Sequence, residues 1–385
     1  MRDQNKKIYV IAGEQSGDFI GSKIIAHLRL MDFTIDIKGV GGSKMMSCGL
    51  DESLFPMEDI SVFGLFEIIP DIFRINSLIQ KTIEHICKVK PQILITIDSP
   101  GFCFRVAEKI KQLLPNIYLI HIVAPSVWAY KPERAKKVAN IYNELLTLLP
   151  FEAPFFEKYG LKTSYIGHPI FEQYNEYDEN YGQALDELIM DGKISTNVVT
   201  ITPGSRESEI KRLLPIFIQA IIKAQIPDTT CIILASSQKN QELIEQIMHL
   251  FNVQYLITQD KKLAFDAANF VIAKSGTNNL EIAAHKKPML ICYKLNWLTW
   301  WWLKKSLQVK YACLINIIAD KEIIPEFIQN QCNPDSIAKK LKQLFIHSEL
   351  CFEQTENSYR IIQTMGLGEK IEPSSRAAQI IYNNL

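Results

Sequence analysis

Ile201-Thr-Pro-Gly-Ser-Arg-Glu-Ser-Glu-Ile210 decides how the chain around it folds. The β-branched run Val198 to Ile201 stops at Pro203-Gly204, Ser205 and Arg206 follow, and an amphipathic run from Glu207 reads as a helix. The order is strand, tight glycine turn, helix N-terminus. Such a turn leaves backbone N–H groups unpaired and aimed at one point, which makes an anion site. Gly204 lets the backbone come close, and Arg206 adds a planar, permanently charged fork suited to phosphate. A second stretch of the same build follows at Lys274-Ser-Gly-Thr-Asn-Asn-Leu-Glu281, with Ser275, Gly276 and Thr277 in its turn. Two phosphate-type cradles in one half of the chain point to a nucleotide diphosphate held between them.

Outward from this unit the pattern repeats. Strand-like runs follow at Cys231–Ser236, Tyr255–Thr258, Phe270–Ala273 and Met289–Tyr293, and precede it at Lys7–Ala12, Ile35–Val40, Ile93–Asp98, Ile117–Val123 and Leu145–Leu149. Helical patterns fill much of the space between, such as Ser16 to Leu30, where Ile20, Ile24 and Leu28 recur at spacing four. Continuous apolar strands alternating with helices mean a parallel sheet covered on both faces. The expected fold is α/β, with two Rossmann-like doubly wound parallel-sheet domains facing each other across a cleft. The boundaries expected are residues 1–172 for an N-terminal domain, a polar connector at 173–197, a nucleotide-binding domain at 198–365, and a C-terminal helix at 366–385 packing back on the N-terminal domain.

Composition narrows the class. A chain of 385 residues with 47% hydrophobic residues can bury two ordinary cores, and a formal net charge of zero leaves no excess of Lys and Arg for a general nucleic-acid binder. The eight cysteines are scattered with no C-x-x-C pair, which reads as buried free thiols in a reducing compartment. No segment approaches the ~18 uninterrupted apolar residues of a spanning helix, so a cytosolic protein is expected. There is no D-x-D, no His/Cys cluster and no P-loop lysine, and nothing asks for a bound metal or cofactor.

In doubly wound sheets the ligand sits at the carboxyl ends of the strands, so residues just after strands carry the most weight. Ala12-Gly-Glu-Gln-Ser-Gly-Asp18 follows the first strand and opens a helix; Gly13 and Gly17 would admit a ligand there, and Glu14 or Asp18 would touch it, unless the turn is only structural. Asp98 ends a wholly apolar strand and is either a helix cap or a general base with its pKa raised by apolar walls. Pro125-Ser-Val-Trp-Ala-Tyr-Lys131 offers Ser126 and a Trp128 stacking floor for a sugar ring, or packing between domains. His168 follows a strand just before the connector, where it is either hydrogen-bonded structure or, as the hinge position favours, a residue of the cleft. Glu281, in the first turns of the second helix, can accept hydrogen bonds from ribose hydroxyls or simply answer the helix dipole.

Two apolar stretches stand apart. Phe66, Ile68, Ile69, Ile72, Phe73 and Ile75 are placed to share one face of a short helix around Pro70, and Trp297, Trp300, Trp301 and Trp302 are flanked by Lys294, Lys304 and Lys305. Aromatic residues beside lysines suit a membrane interface, although ordinary core would look similar.

Taken together, and in this order, the motifs resemble the lipid-A-disaccharide synthase family, inverting glycosyltransferases of the two-domain GT-B fold. The matching stretches include Ala12–Asp18, Val62-Phe-Gly-Leu-Phe-Glu67, Ile97-Asp-Ser-Pro-Gly-Phe102, Pro125–Tyr130, Leu149-Pro-Phe-Glu152, Ile166-Gly-His-Pro169, Pro203-Gly-Ser-Arg206, Ser275-Gly-Thr277 with Leu280-Glu281, and Leu314-Ile-Asn-Ile-Ile-Ala319 with Pro325-Glu326. Asn278-Asn279 depart from the small or hydroxyl residues usual in the family. The resemblance implies transfer of 2,3-diacylglucosamine from its UDP conjugate to the 6-hydroxyl of 2,3-diacylglucosamine 1-phosphate, without metal. It places Asn316 at the donor; the residues themselves make Asp98 the base for that transfer, with Ser16 in the acceptor cleft. It also implies a peripheral protein on the phospholipid of the inner membrane's cytoplasmic face in a Gram-negative bacterium; a homodimer stays open. The rivals are another GT-B UDP-N-acetylglucosamine-dependent transferase or epimerase, a nicotinamide-dependent oxidoreductase, and a non-catalytic membrane scaffold.

Overall fold

A computed structural model describes residues 6–60, 68–174, 190–192, 194–296, 300 and 308–385, with residues 68–72 described by their backbone alone. The chain divides into two compact units, one of Met1–Glu172 with Glu369–Leu385, the other of Gln173–Gly368.

The first unit carries β1 (Lys7–Ala12), β2 (Asp36–Val40), β3 (Ile93–Ile97), β4 (Tyr118–Ile122), β5 (Glu144–Thr147) and β6 (Lys162–Tyr165). Between them run α1 (Gln15–Met31), α2 (Ser43–Ser47), α3 (Ile68–Val89), α4 (Pro100–Leu113), α5 (Arg134–Ile141) and α6 (Pro154–Glu157). The strands pair in parallel in the order β2-β1-β3-β4-β5-β6. Alternation in β1 sends Tyr9 and Ile11 into one core and Ile8, Val10 and Ala12 into another on the opposite face. This explains why β1 and β3 read as unbroken apolar runs: both faces are covered. The C-terminal helix α14 (Pro373–Tyr382) adds Ala377, Ala378 and Ile381 to the second of these cores, beside Ile24 and Leu28 of α1.

The second unit repeats the plan. Its order along the chain is β7 (Asn197–Thr202), α7 (Glu207–Ala224), β8 (Thr229–Leu234), α8 (Gln238–Met248), β9 (Gln254–Thr258), α9 (Lys261–Asp266), β10 (Phe270–Lys274), α10 (Asn278–Ala284) and β11 (Met289–Tyr293). Then come α11 (Leu314–Ala319), β12 (Glu326–Ile328), α12 (Pro334–Ile346) and α13 (Ser348–Gln363). The parallel sheet runs β12-β11-β10-β7-β8-β9. The three-residue β12 carries too little apolar pattern to be seen in the sequence.

Each sheet has one place where the chain reverses direction across it. In the first unit the chain leaves β1 outward to β2 and returns to the other side of β1 as β3; in the second it leaves β7 for β8 and returns beside β7 as β10. Loops diverge at such a point, opening a crevice at the carboxyl ends of the two strands, where ligands of this fold class bind. The segments selected from sequence after β1, β3, β7 and β10 therefore border the two crevices.

The helix expected to be short around Pro70 instead continues to Val89. Phe73 is 86% exposed, whereas Ile75 is half-buried against the core beneath α3, so these two do not share one face. Phe66 and the side chains of Ile68, Ile69 and Ile72 lie outside the described residues, as do most of the connector, Trp297, Trp301 and Trp302; Trp300 is half-buried.

Candidate functional site

In the first unit, the turns after β1 and β3 meet. A Cβ added at Gly13 would lie 2.4 Å from Ser99 Oγ, so only glycine lets the two loops come this close. Asp98 and Ser99 both adopt left-handed backbone, with φ of +52° and +45°, and Val123 at the end of β4 does the same at +74°. For residues other than glycine, each such conformation costs about 1–3 kcal/mol and gathers at functional sites. The strain at Asp98 carries the chain out of β3 and directly into α4, whose N-cap is Ser99. Ser99 makes no side-chain cap bond of its own. Burial raises the pKa of Asp98, opposed by a hydrogen bond from the Ser99 backbone. A carboxylate partly withdrawn from water at a strand's carboxyl end is a stronger proton acceptor than a solvated one.

The other first-unit candidates divide. Ser16 is exposed and Glu14 half-buried at the start of α1. Gly17 is buried; a Cβ there would approach Ala12 Cβ at 3.3 Å, so its smallness serves packing of α1 on β1. Asp18 corrects the expectation of ligand contact. It is 4% exposed, and its carboxylate accepts hydrogen bonds from the backbone N–H groups of Gly42 (2.8 Å), Lys44 (3.1 Å) and Met45 (3.1 Å). The α2 N-terminus has taken up its lone pairs.

Ser126 is exposed, and Trp128 is half-buried with its ring edge-on to Phe151 at 5.3 Å. Trp128 Nε1 donates to Glu152 Oε1 at 3.2 Å, and Leu149 N donates to Glu152 Oε2 at 3.1 Å. Glu152 is the anchor of this aromatic loop and was missed as a site feature in sequence because its partner lies 24 positions away. Burial pushes its carboxyl up to about 7. His168 is buried, and its Nδ1 accepts from Ile170 N at 3.2 Å. Burial lowers its pKa to about 4, so the ring is neutral at physiological pH.

In the second unit, Gly204 has φ of +114°, a conformation open to glycine alone at ordinary cost, and Arg206 is the N-cap of the 18-residue α7. The Arg206 guanidinium is 56% exposed and lies 4.0 Å from Glu209 Oε1. Across the crevice, the turn after β10 differs from expectation. Ser275 Oγ donates to Ala312 O at 2.7 Å, and α10 is only seven residues long. Gly276 has open space around its Cα, and Thr277 is the N-cap of α10 without a side-chain cap bond. Of the two turns, only the first leads into a long helix. Glu281 is almost fully buried; its Oε2 pairs with Lys261 Nζ at 2.7 Å and its Oε1 accepts from Gln173 Nε2 at 3.2 Å. Lys261 Nζ also reaches Asn278 Oδ1 at 3.3 Å.

Asn316 is a second correction. It is fully buried, accepts from Ile323 N and Ile324 N at 2.9 Å each, and donates to Ile324 O and Glu326 Oε1. Glu326 in turn accepts from Ala312 N and Cys313 N. The amide ties α11 to β12, leaving nothing of it to face a ligand. Among the described residues no three His, Cys, Asp or Glu side chains cluster to hold a metal ion.

Two doubly wound parallel-sheet units in one chain are the architecture of the GT-B class. Solved structures of this shape include a UDP-GlcNAc 2-epimerase from Neisseria meningitidis bound to UDP-GlcNAc (TM-score 0.66, 13% identity, 98% of this chain and 100% of that one). A glycosyltransferase from Rickettsia africae matches with TM-score 0.57 at 14% identity over 99% and 98% of the two chains. These likenesses establish the fold alone. Sequence goes further: a family model for lipid-A-disaccharide synthetase matches residues 8–381. Lipid-A-disaccharide synthase of Rickettsia bellii (strain OSU 85-389) is 45% identical over 379 residues, covering 98% of either chain. That of Rickettsia prowazekii is 44% identical over 379 residues with the same coverage. The chain belongs to the lipid-A-disaccharide synthase family.

Proposed function

We infer that this chain is a lipid-A-disaccharide synthase that joins 2,3-diacylglucosamine, supplied as its UDP conjugate, to the 6-hydroxyl of 2,3-diacylglucosamine 1-phosphate. The reading rests chiefly on 45% identity to a synthase of that name across 98% of both chains. Asp98 accepts the proton of the 6-hydroxyl as that oxygen attacks the sugar's anomeric carbon. The bond from that carbon to the diphosphate oxygen breaks, UDP leaves, and a β-1,6 disaccharide 1-phosphate forms with inversion. Arg206, Ser205 and the N-terminus of α7 receive the charge growing on UDP, with no metal in the step. Glu281 is the ribose partner, held in place by its 2.7 Å contact with Lys261. Both substrates carry acyl chains, and Phe73, exposed on α3, suits a phospholipid surface that delivers them. No helix among the described residues is long and apolar enough to cross a membrane, which leaves peripheral attachment at the cytoplasmic face as the proposed location.

UDP release measured with both lipid substrates, with either alone, and with UDP-N-acetylglucosamine alone tests the reading. Release that requires both lipids is expected. Conversion of UDP-N-acetylglucosamine without an acceptor would assign an epimerase instead.

A further inference from the structure

Lys274 is the last residue of β10, and Pro203-Gly204 follows β7, its hydrogen-bonded neighbour; Ala273 pairs with Thr202, so both chain ends reach the switch point at the same level. Lys274 Nζ lies 3.2 Å from Glu209 Oε1, which is also 4.0 Å from the Arg206 guanidinium. The other carboxylate oxygen, Glu209 Oε2, is buried and has no hydrogen-bond partner among the described residues. It points at Gly204, where an added Cβ would sit 2.3 Å from it. The Glu209 and Lys274 side chains are only 18% and 25% exposed. Thus a carboxylate occupies the concave side of the turn best suited to an anion, and two cations face it.

We propose, building on the functional reading above, that Lys274 is a cationic ligand of the donor's diphosphate and that Glu209 holds its place until the diphosphate arrives. The carboxylate is a poor permanent occupant, because one of its oxygens is desolvated without compensation. A diphosphate brings more negative charge and more acceptor oxygens to the same cations. Lys274 exchanges one anion for another, so its charge is never left unpaired and the exchange costs little. Glu209, repelled by the phosphates, swings from the turn. Gly204 then serves two states: its missing side chain accommodates the carboxylate when the site is empty and the phosphate oxygens when it is filled. Lys274 was legible as part of the second glycine turn, but its pairing with a residue 65 positions earlier was not.

Competition titrations with UDP and with uridine on the full chain test this. Lys274→Met, which keeps the aliphatic stem, is expected to weaken UDP by about tenfold or more while uridine affinity stays unchanged, and Lys274→Arg to restore UDP to within a few-fold. Glu209→Gln is expected to tighten UDP several-fold, since the competing charge is gone. Thermal melting screens for misfolding, with Lys274→Gln as a second neutral variant. Equal loss of UDP and uridine in the folded Lys274 variants, no loss of either, or weaker UDP binding in Glu209→Gln overturns the proposal. A wild-type protein that binds no UDP overturns the functional reading, and this inference with it; tight UDP binding indifferent to Lys274 removes only the inference.

Discussion

Replacing Asp98 with Asn separates chemistry from folding cleanly. The residue sits at φ +52°, where an alanine would carry the full left-handed penalty of about 1–2 kcal/mol. Asparagine is among the few side chains that tolerate this region, and it matches Asp in volume. Asp98 is drawn out of water, so its pKa is raised by burial. A carboxyl group whose folded pKa exceeds its unfolded value takes up protons on folding. Its favourable contribution is therefore present at low pH and is lost as pH rises through the folded pKa. At pH 8 the ionised Asp98 is a burden on the fold, and Asp98→Asn should melt no lower than the wild type. Turnover should fall by about 10²–10⁴-fold, the range for a lost general base, or roughly 2.7–5.5 kcal/mol of barrier. The base must be ionised to act, so wild-type kcat/KM should rise with pH through a midpoint above the ordinary carboxylate value, a limb absent from the variant. UDP release with both lipid substrates gives the rate, and melting followed by circular dichroism gives the stability. Near wild-type turnover, or a rate loss matched by a large drop in melting temperature, would refute the role of Asp98 as base.

Arg206→Ala should weaken UDP by about tenfold or more, because a charge-assisted contact at the N-cap of α7 is lost, and EDTA should leave activity unchanged; activity abolished by EDTA and restored by Mg²⁺ would overturn the metal-free step. Phe73→Ser should reduce binding to anionic phospholipid vesicles by up to ~1.5–3 kcal/mol while leaving melting and UDP affinity in place, since the ring is 86% exposed; unchanged vesicle sedimentation would remove α3 from the membrane reading. Burial pushes Glu152 up to about 7, so its contribution to stability is full below pH ~4.5 and is lost as pH rises through 7, a change of about 3–4 kcal/mol at most. Glu152→Gln should lose that pH dependence between 5 and 8 and reduce the order of the Trp128 loop; an identical slope in the variant's chemical denaturation would contradict it.

Two parallel sheets, the runs that form their strands, and the turns at the strands' carboxyl ends were all legible in the amino-acid order. These are local properties. Apolar runs such as Ile93–Ile97 report burial on both faces, and Pro203-Gly204 reports a turn whatever surrounds it. The same order also pointed to Asp98, because a carboxylate ending an apolar strand is anomalous on its face. What each polar side chain does there depended on packing in three dimensions. Asp18 and Asn316 look like site residues in a motif, yet one caps α2 and the other ties α11 to β12. Glu281 was read correctly as a carboxylate near a helix start, but its pairing with Lys261, twenty positions earlier, was not legible. Glu207 and Glu209 are indistinguishable in sequence; Glu209 alone reaches Lys274, while Glu207 pairs with Lys211 and Lys239. Hydrogen bonds and ion pairs act over about 3 Å in space and are blind to separation along the chain, so a one-dimensional pattern reveals which side chains can bond but not which partner claims them first.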